Sequence, residues 1–272
     1  MMDFTMLSRE EYVEQAYFFR SLRERIRDGY ASQEAVRAIR QEILVTTKLP
    51  MALDFLAAEL VHCGEFGSAM ARLAHYFTGF QTFIIREAER DEGRFDMRIA
   101  LEVLEKEAEY RSKSPAVQGV FLYQFESLCR NRLGYDRGLE AIGLDPTFSD
   151  DWHEWINVVR HQIGFVDIAD LIYVRSEYCW QQHGPQGKSA IFGIQEGRIA
   201  WANRGKDPGF LFAALARQLG YPLVPRVKPP DAQEHRLLAL EARLARLESR
   251  LKLIEEEKKG GIDLNQYYAK PD

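Results

Sequence analysis

Residues 231–259, DAQEHRLLALEARLARLESRLKLIEEEKK, carry the clearest structural signal in the chain. Asp231 follows Pro229-Pro230 and has Glu234 three residues on, the pattern of a capping box at a helix start. Leu237, Leu240, Leu244, Leu247, Leu251 and Ile254 then recur at alternating spacings of three and four. That is the a/d seam of a coiled coil, sustained over about three heptads. Lys258, Lys259, Gly260 and Gly261 close the helix with cations and glycine, as the macrodipole and the C-cap favour.

The flanking charges add a direction. With Leu237 at a, the g positions are Arg236, Arg243 and Arg250, and the following e positions are Glu241, Glu248 and Glu255. In a parallel pair each g faces the partner's next e, so every such contact joins Arg to Glu. An antiparallel pair sets like charges together. A helix folding back on its own body needs a broader apolar stripe than this one. The segment is therefore expected to join the chain to itself as a parallel homodimer. A trimer is the alternative, because leucine at both a and d does not exclude it.

Upstream, Pro222, Pro225, Pro229 and Pro230 make residues 221–230 a non-helical, extended linker. Downstream, residues 260–272 read as a flexible polar tail. Residues 1–183 read as an α-helical body. Ser8 with Glu11 forms a capping-box pattern, and Gly29 follows the helix it opens. Ser32 starts a second helix, and Pro50 and Gly64 bracket a third. One long helix is expected over 68–90, with Met70, Leu73, Phe77, Phe80 and Ile84 at helical spacing. Asp96, Ser114-Pro115 and Ser149 start three more, and another is expected over 167–181.

The pattern changes after Gly184. Residues 190–194 and 198–202 are short β-prone runs around Gln195-Glu196-Gly197, which reads as a β-hairpin. A helix after Asp207-Pro208 completes a segment, 184–220, expected to pack on the body. The fold class is thus mainly α: a helical bundle or stacked α-hairpins with a small β-hairpin, followed by a C-terminal coiled-coil helix. Leu144-Asp145-Pro146 followed by Trp152 resembles the junction between tetratricopeptide repeats. Gly138 and Leu122, however, stand where that family places a large aromatic and a small residue. Only about one repeat's length fits, so no family is assigned.

Bulk properties narrow the function classes. The chain has 272 residues, 46% of them hydrophobic and 28% charged, ordinary globular usage. Its formal net charge of −5 gives no global reason to bind polyanions. Residues 1–10 lack a secretory pattern, and no run of apolar residues is long enough to span a bilayer. Cys63, Cys129 and Cys179 lie far apart in apolar helical contexts and read as reduced core residues. A cytoplasmic location is the expectation that follows.

No motif specifies a reaction. Gly184-Pro185-Gln186-Gly187-Lys188-Ser189 resembles a phosphate-binding loop in part. It lacks the first glycine, because Gln182 stands there, and lies between the wrong elements. Glu59 and His62 share a helix face, and Asp150 with His153 is an incomplete second half, so no metal or other cofactor is expected. His153 and His161 beside Trp152 and Trp155 form an aromatic-histidine cluster that could line an enzyme pocket near 152–161. Between 188 and 228 cations predominate, among them Lys188, Arg198, Arg204 and Lys206, with Phe192, Trp201 and Tyr221 interleaved. Such a region can hold anions, as in a nucleic-acid or anionic-membrane binder. The leading expectation is a non-enzymatic interaction or scaffold protein. Its partners are itself and an as yet unidentified protein; the basic-region binder is the alternative and the enzyme the third reading.

Overall fold

The computed structural model describes residues 7–90, 95–185 and 187–226. The chain divides into two units, Met1–Val227 and Lys228–Asp272. The expected coiled-coil seam, its Arg/Glu register and the tail lie outside the described residues.

The described residues form a mainly helical structure of thirteen α-helices. They are α1 (Arg9–Arg27), α2 (Ser32–Glu42), α3 (Leu49–Cys63), α4 (Phe66–Ala71), α5 (Gly79–Glu89), α6 (Met97–Arg111) and α7 (Val117–Asn131), followed by α8 (Tyr135–Gly143), α9 (Asp150–Gln162), α10 (Ile168–Val174), α11 (Glu177–His183), α12 (Ile194–Ala202) and α13 (Pro208–Leu219). Most consecutive helices pack together, but the pairings of α1 with α6, α5 with α8 and α7 with α13 join elements distant in sequence. A solenoid contacts only its next neighbours; these closures make a bundle around one core.

The pairing of α1 with α6 shows what secures that bundle. Phe18, Phe19 and Leu22 on α1, and Ala100, Leu101 and Leu104 on α6, are almost wholly buried in the same core. Each large apolar side chain so buried contributes about 1.5–3 kcal/mol. Arg20 reaches Glu105 at 2.7 Å and Glu109 at 2.6 Å, and Arg23 reaches Glu102 at 3.1 Å and Glu105 at 2.9 Å. These half-exposed pairs set the register more than the stability. In the second half, Phe121, Phe148, Trp152, Trp155 and Phe192 form an aromatic cluster with ring centroids 4.9–6.3 Å apart.

Several expectations are corrected. The β-hairpin is absent: residues 194–202 are α12, and 190–193 are an extended approach to it. The N–H groups of Ile191 and Phe192 donate to the Arg175 carbonyl at 2.9 and 3.1 Å, leaving a single bridge between Ser176 and Phe192. Gly197 is not a turn glycine but a packing one. A Cβ there would lie 2.3 Å from Ser176 Oγ and 2.6 Å from Ser176 Cβ, so its absence lets α12 approach the α10–α11 junction.

The helix expected over 68–90 breaks between α4 and α5, because Thr78 and Gln81 form a capping box that starts α5 anew. The helix expected over 167–181 breaks at Ser176, whose hydroxyl accepts the Cys179 N–H at 3.2 Å. Ser8 caps α1, yet Glu11 does not return the bond: it is buried and holds partners elsewhere. Cys63 is exposed at the end of α3, unlike Cys179, which is buried. The proline-rich stretch is non-helical over 221–226, as its composition requires, but it is anchored. Tyr221 and Val224 are buried, and Tyr221 OH donates to Glu126 Oε2 at 2.9 Å on α7.

Candidate functional site

A chain of polar side chains runs through the apolar core where α1, α5, α6 and α7 meet. The N–H of Lys48, ahead of α3, donates to Glu11 Oε1 at 2.6 Å, and Tyr76 OH donates to Glu11 Oε2 at 2.7 Å. Gln15 Nε2 donates to the Tyr76 carbonyl at 3.4 Å, and Gln81 Nε2 donates to Gln15 Oε1 at 3.2 Å and Glu107 Oε2 at 3.3 Å. Gln124 Nε2 donates to Glu107 Oε1 at 2.6 Å. Arg111 then grips Glu107 Oε1 through Nε and Nη2, both at 3.1 Å, and donates to Thr147 Oγ1 at 3.0 Å and to Asp145 Oδ2.

Burial and charge act against each other in this network. Asp145 and Arg111 are almost fully buried, with side chains 0% and 3% exposed. Burial pushes the Asp145 carboxyl upward, but the Arg111 charge and the bonds from Thr147 outweigh it, so its pKa lies below the ordinary carboxylate range. Glu107 goes the other way: burial raises its pKa despite Arg111 and Gln124. Tyr12, under the Arg111 guanidinium at 5.8 Å from its ring centroid, is likewise raised by burial and stays a neutral phenol.

Two cavities flank this network. One, of about 280 Å³, lies between the first turn of α1, the turn before α5 and the Leu144–Pro146 turn. The other, of about 170 Å³, lies between α1 and the α6–α7 turn, with Arg9, Arg111, Ser114 and Thr147 on its wall. Leu7 and Tyr12 line both. Together they reach the lower part of the size range of small-molecule sites, roughly 300–1,000 Å³. Sequence reading missed this site. Its trace was the isolated Gln15, Gln81 and Gln124 at core-facing positions of apolar helices.

The residues singled out from the sequence fall elsewhere. Lys188 forms an ion pair with Glu154, and Arg204 one with Asp170, while Arg198 and Lys206 are exposed. Arg204 also lies over Trp201, 4.5 Å from its ring centroid, and over Tyr173 at 5.6 Å. Trp152 and Trp155 point into the core, whereas His153 and His161 are exposed on the other side of α9, so the four do not line one pocket. Glu59 pairs with Arg72. Among the described residues no cluster of three or more His, Cys, Asp or Glu is arranged to hold a metal ion, and no helix is long and apolar enough to cross a membrane.

Comparison with protein-family models, curated proteins and solved structures finds no match for this chain.

Proposed function

We propose that the protein is a non-enzymatic interaction protein whose helical body is held on a self-associating C-terminal helix. The observation that carries this reading is the register of residues 236–255. There a seam of five leucines and Ile254 is flanked at every g and following e position by Arg and Glu. Only the parallel arrangement of two chains satisfies all of those charges. The exposed pairs contribute about 0.2–1 kcal/mol each, so the leucine seam supplies the stability.

Two features of the body support the same reading. The elements of the enzymatic reading near 152–161 lie on opposite faces of α9. Two of the four cations of the basic-region reading are engaged with Glu154 and Asp170. A surface for a protein partner is offered near the 163–167 turn, where Phe165 is 93% exposed. That turn is tied to the turn after Trp201 by the Gly205 N–H to Asp167 at 2.9 Å. Val166, beside Phe165 in sequence, is 37% exposed, so the turn presents apolar surface to solvent.

Light scattering of the full chain at micromolar concentration tests the proposal. A dimer, or a trimer, is expected, and the Leu244→Lys/Leu251→Lys double variant is expected to be a monomer with its helical body still folded. A native chain that is already monomeric refutes the reading. Binding of nucleic acid or anionic liposomes that weakens steeply with salt would favour the basic-region alternative instead.

A further inference from the structure

We propose that the two-chambered cleft beside Tyr12 binds a small anionic amphiphile, with its acidic head among Arg9, Tyr12 and Ser114 and its apolar group against Leu7, Phe77 and Pro146. The two chambers differ in chemistry in the way such a ligand requires. The smaller one is lined by two arginines and three hydroxyl side chains, and none of its lining residues is acidic. The larger is walled mainly by Leu7, Ala71, Ala74, Phe77, Leu144 and Pro146. Tyr12 and Leu7 belong to both, so the two chambers adjoin at these side chains, and the proposed ligand would lie across the Tyr12 ring.

The charge left over in the smaller chamber is positive. Arg111 is compensated within the fold, since Asp145 stands ionised against it and four of its five N–H groups already have acceptors. Arg9 is exposed at the start of α1 with only the neighbouring Glu10 acting on its charge, and it forms no ion pair among the described residues. It also occupies the first residue of α1, where the helix macrodipole opposes a cation. An anionic head in the chamber would supply Arg9 with a countercharge. Tyr12, kept neutral by burial, and Ser114 add hydroxyl donors to the same wall. Ser114 has a positive φ of 51° immediately before Pro115, a conformation disfavoured for a serine and one that turns the chain at the rim of the chamber.

The test is calorimetric titration of the full chain with octanoate, octyl phosphate and octylammonium. Both acids are expected to bind and octylammonium is not; whichever acid binds more tightly identifies the head as carboxylate or phosphate. Arg9→Glu, at an exposed position, is expected to weaken binding at least tenfold. Ala74→Phe, exposed at the rim of the larger chamber, is expected to weaken it by obstructing the apolar wall. Circular dichroism melts check that both variants remain folded. Equal binding of octylammonium, no binding of either acid at millimolar concentration, or an Arg9→Glu variant that binds like the native chain would each overturn the proposal. None of these outcomes depends on the oligomeric state.

Discussion

Replacing Arg111 with Met tests the buried network most directly. The substitution keeps most of the side-chain volume but removes the charge and the donors that reach Glu107, Asp145 and Thr147. Asp145, with its side chain wholly buried, would keep only the bonds from Thr147. An uncompensated buried charge of this kind costs about 3–5 kcal/mol. In a body of this size each kcal/mol lowers Tm by roughly 2–4 °C, so a fall of about 6–20 °C is expected.

The sign of the pH dependence follows from Asp145. In the native chain its lowered pKa contributes stability that is complete above the unfolded value, about 4, and is lost as pH falls through the still lower folded value. Without Arg111, burial, the largest influence on the carboxyl, outweighs the remaining Thr147 bonds and pushes its pKa above the unfolded value. The variant's deficit should then be full at pH 8 and shrink as pH approaches 4, because the buried carboxyl takes up a proton. Glu107, already raised by burial, shifts further in the same sense. Urea titrations followed by circular dichroism at pH 8 and pH 5 measure both quantities. A deficit below 1 kcal/mol, or one equal at the two pH values, would refute this account of the network. The double variant Arg111→Met/Asp145→Leu should recover much of the loss, as expected when both members of a pair are replaced by apolar groups.

Two further outcomes follow from local geometry. Gly197→Ala should destabilise by about 1–3 kcal/mol through overpacking, although Gly→Ala inside a helix ordinarily stabilises, because the new Cβ meets the Cβ of Ser176 at 2.6 Å. The same change at Gly138 should cost less, since the nearest atoms to its new Cβ belong to the end of the Leu128 side chain, which can shift rotamer. A urea titration in which Gly197→Ala is the more stable of the two would contradict the packing of α12. Cys63, exposed at the end of α3, should react with a disulfide reagent well before the other two thiols. Burial pushes the Cys129 thiol up to about 11 and Cys179 is enclosed, so a single fast phase involving Cys129 would be the contrary result.

The helical class was legible in residues that act within one turn of their own position. Asp96 and Asp207 cap α6 and α13 through their own side chains, and Gly64 ends α3 at a φ of 72°. Such signals are local, and the sequence carries them whole. The same locality let residues 190–194 and 198–202 read as the two strands of a hairpin, since a short apolar run looks alike in either state. What decided it was Ser176, against which only a glycine fits. Glu11 reads as a capping partner for Ser8, yet Tyr76, 65 residues away, holds its carboxylate. The cleft was invisible for the same reason: Gln15 meets Gln81 across 66 residues, and Arg111 meets Asp145 across 34. A buried polar group must find a partner inside the fold, and which partner it finds is settled by how the helices pack, not by the turn it sits in.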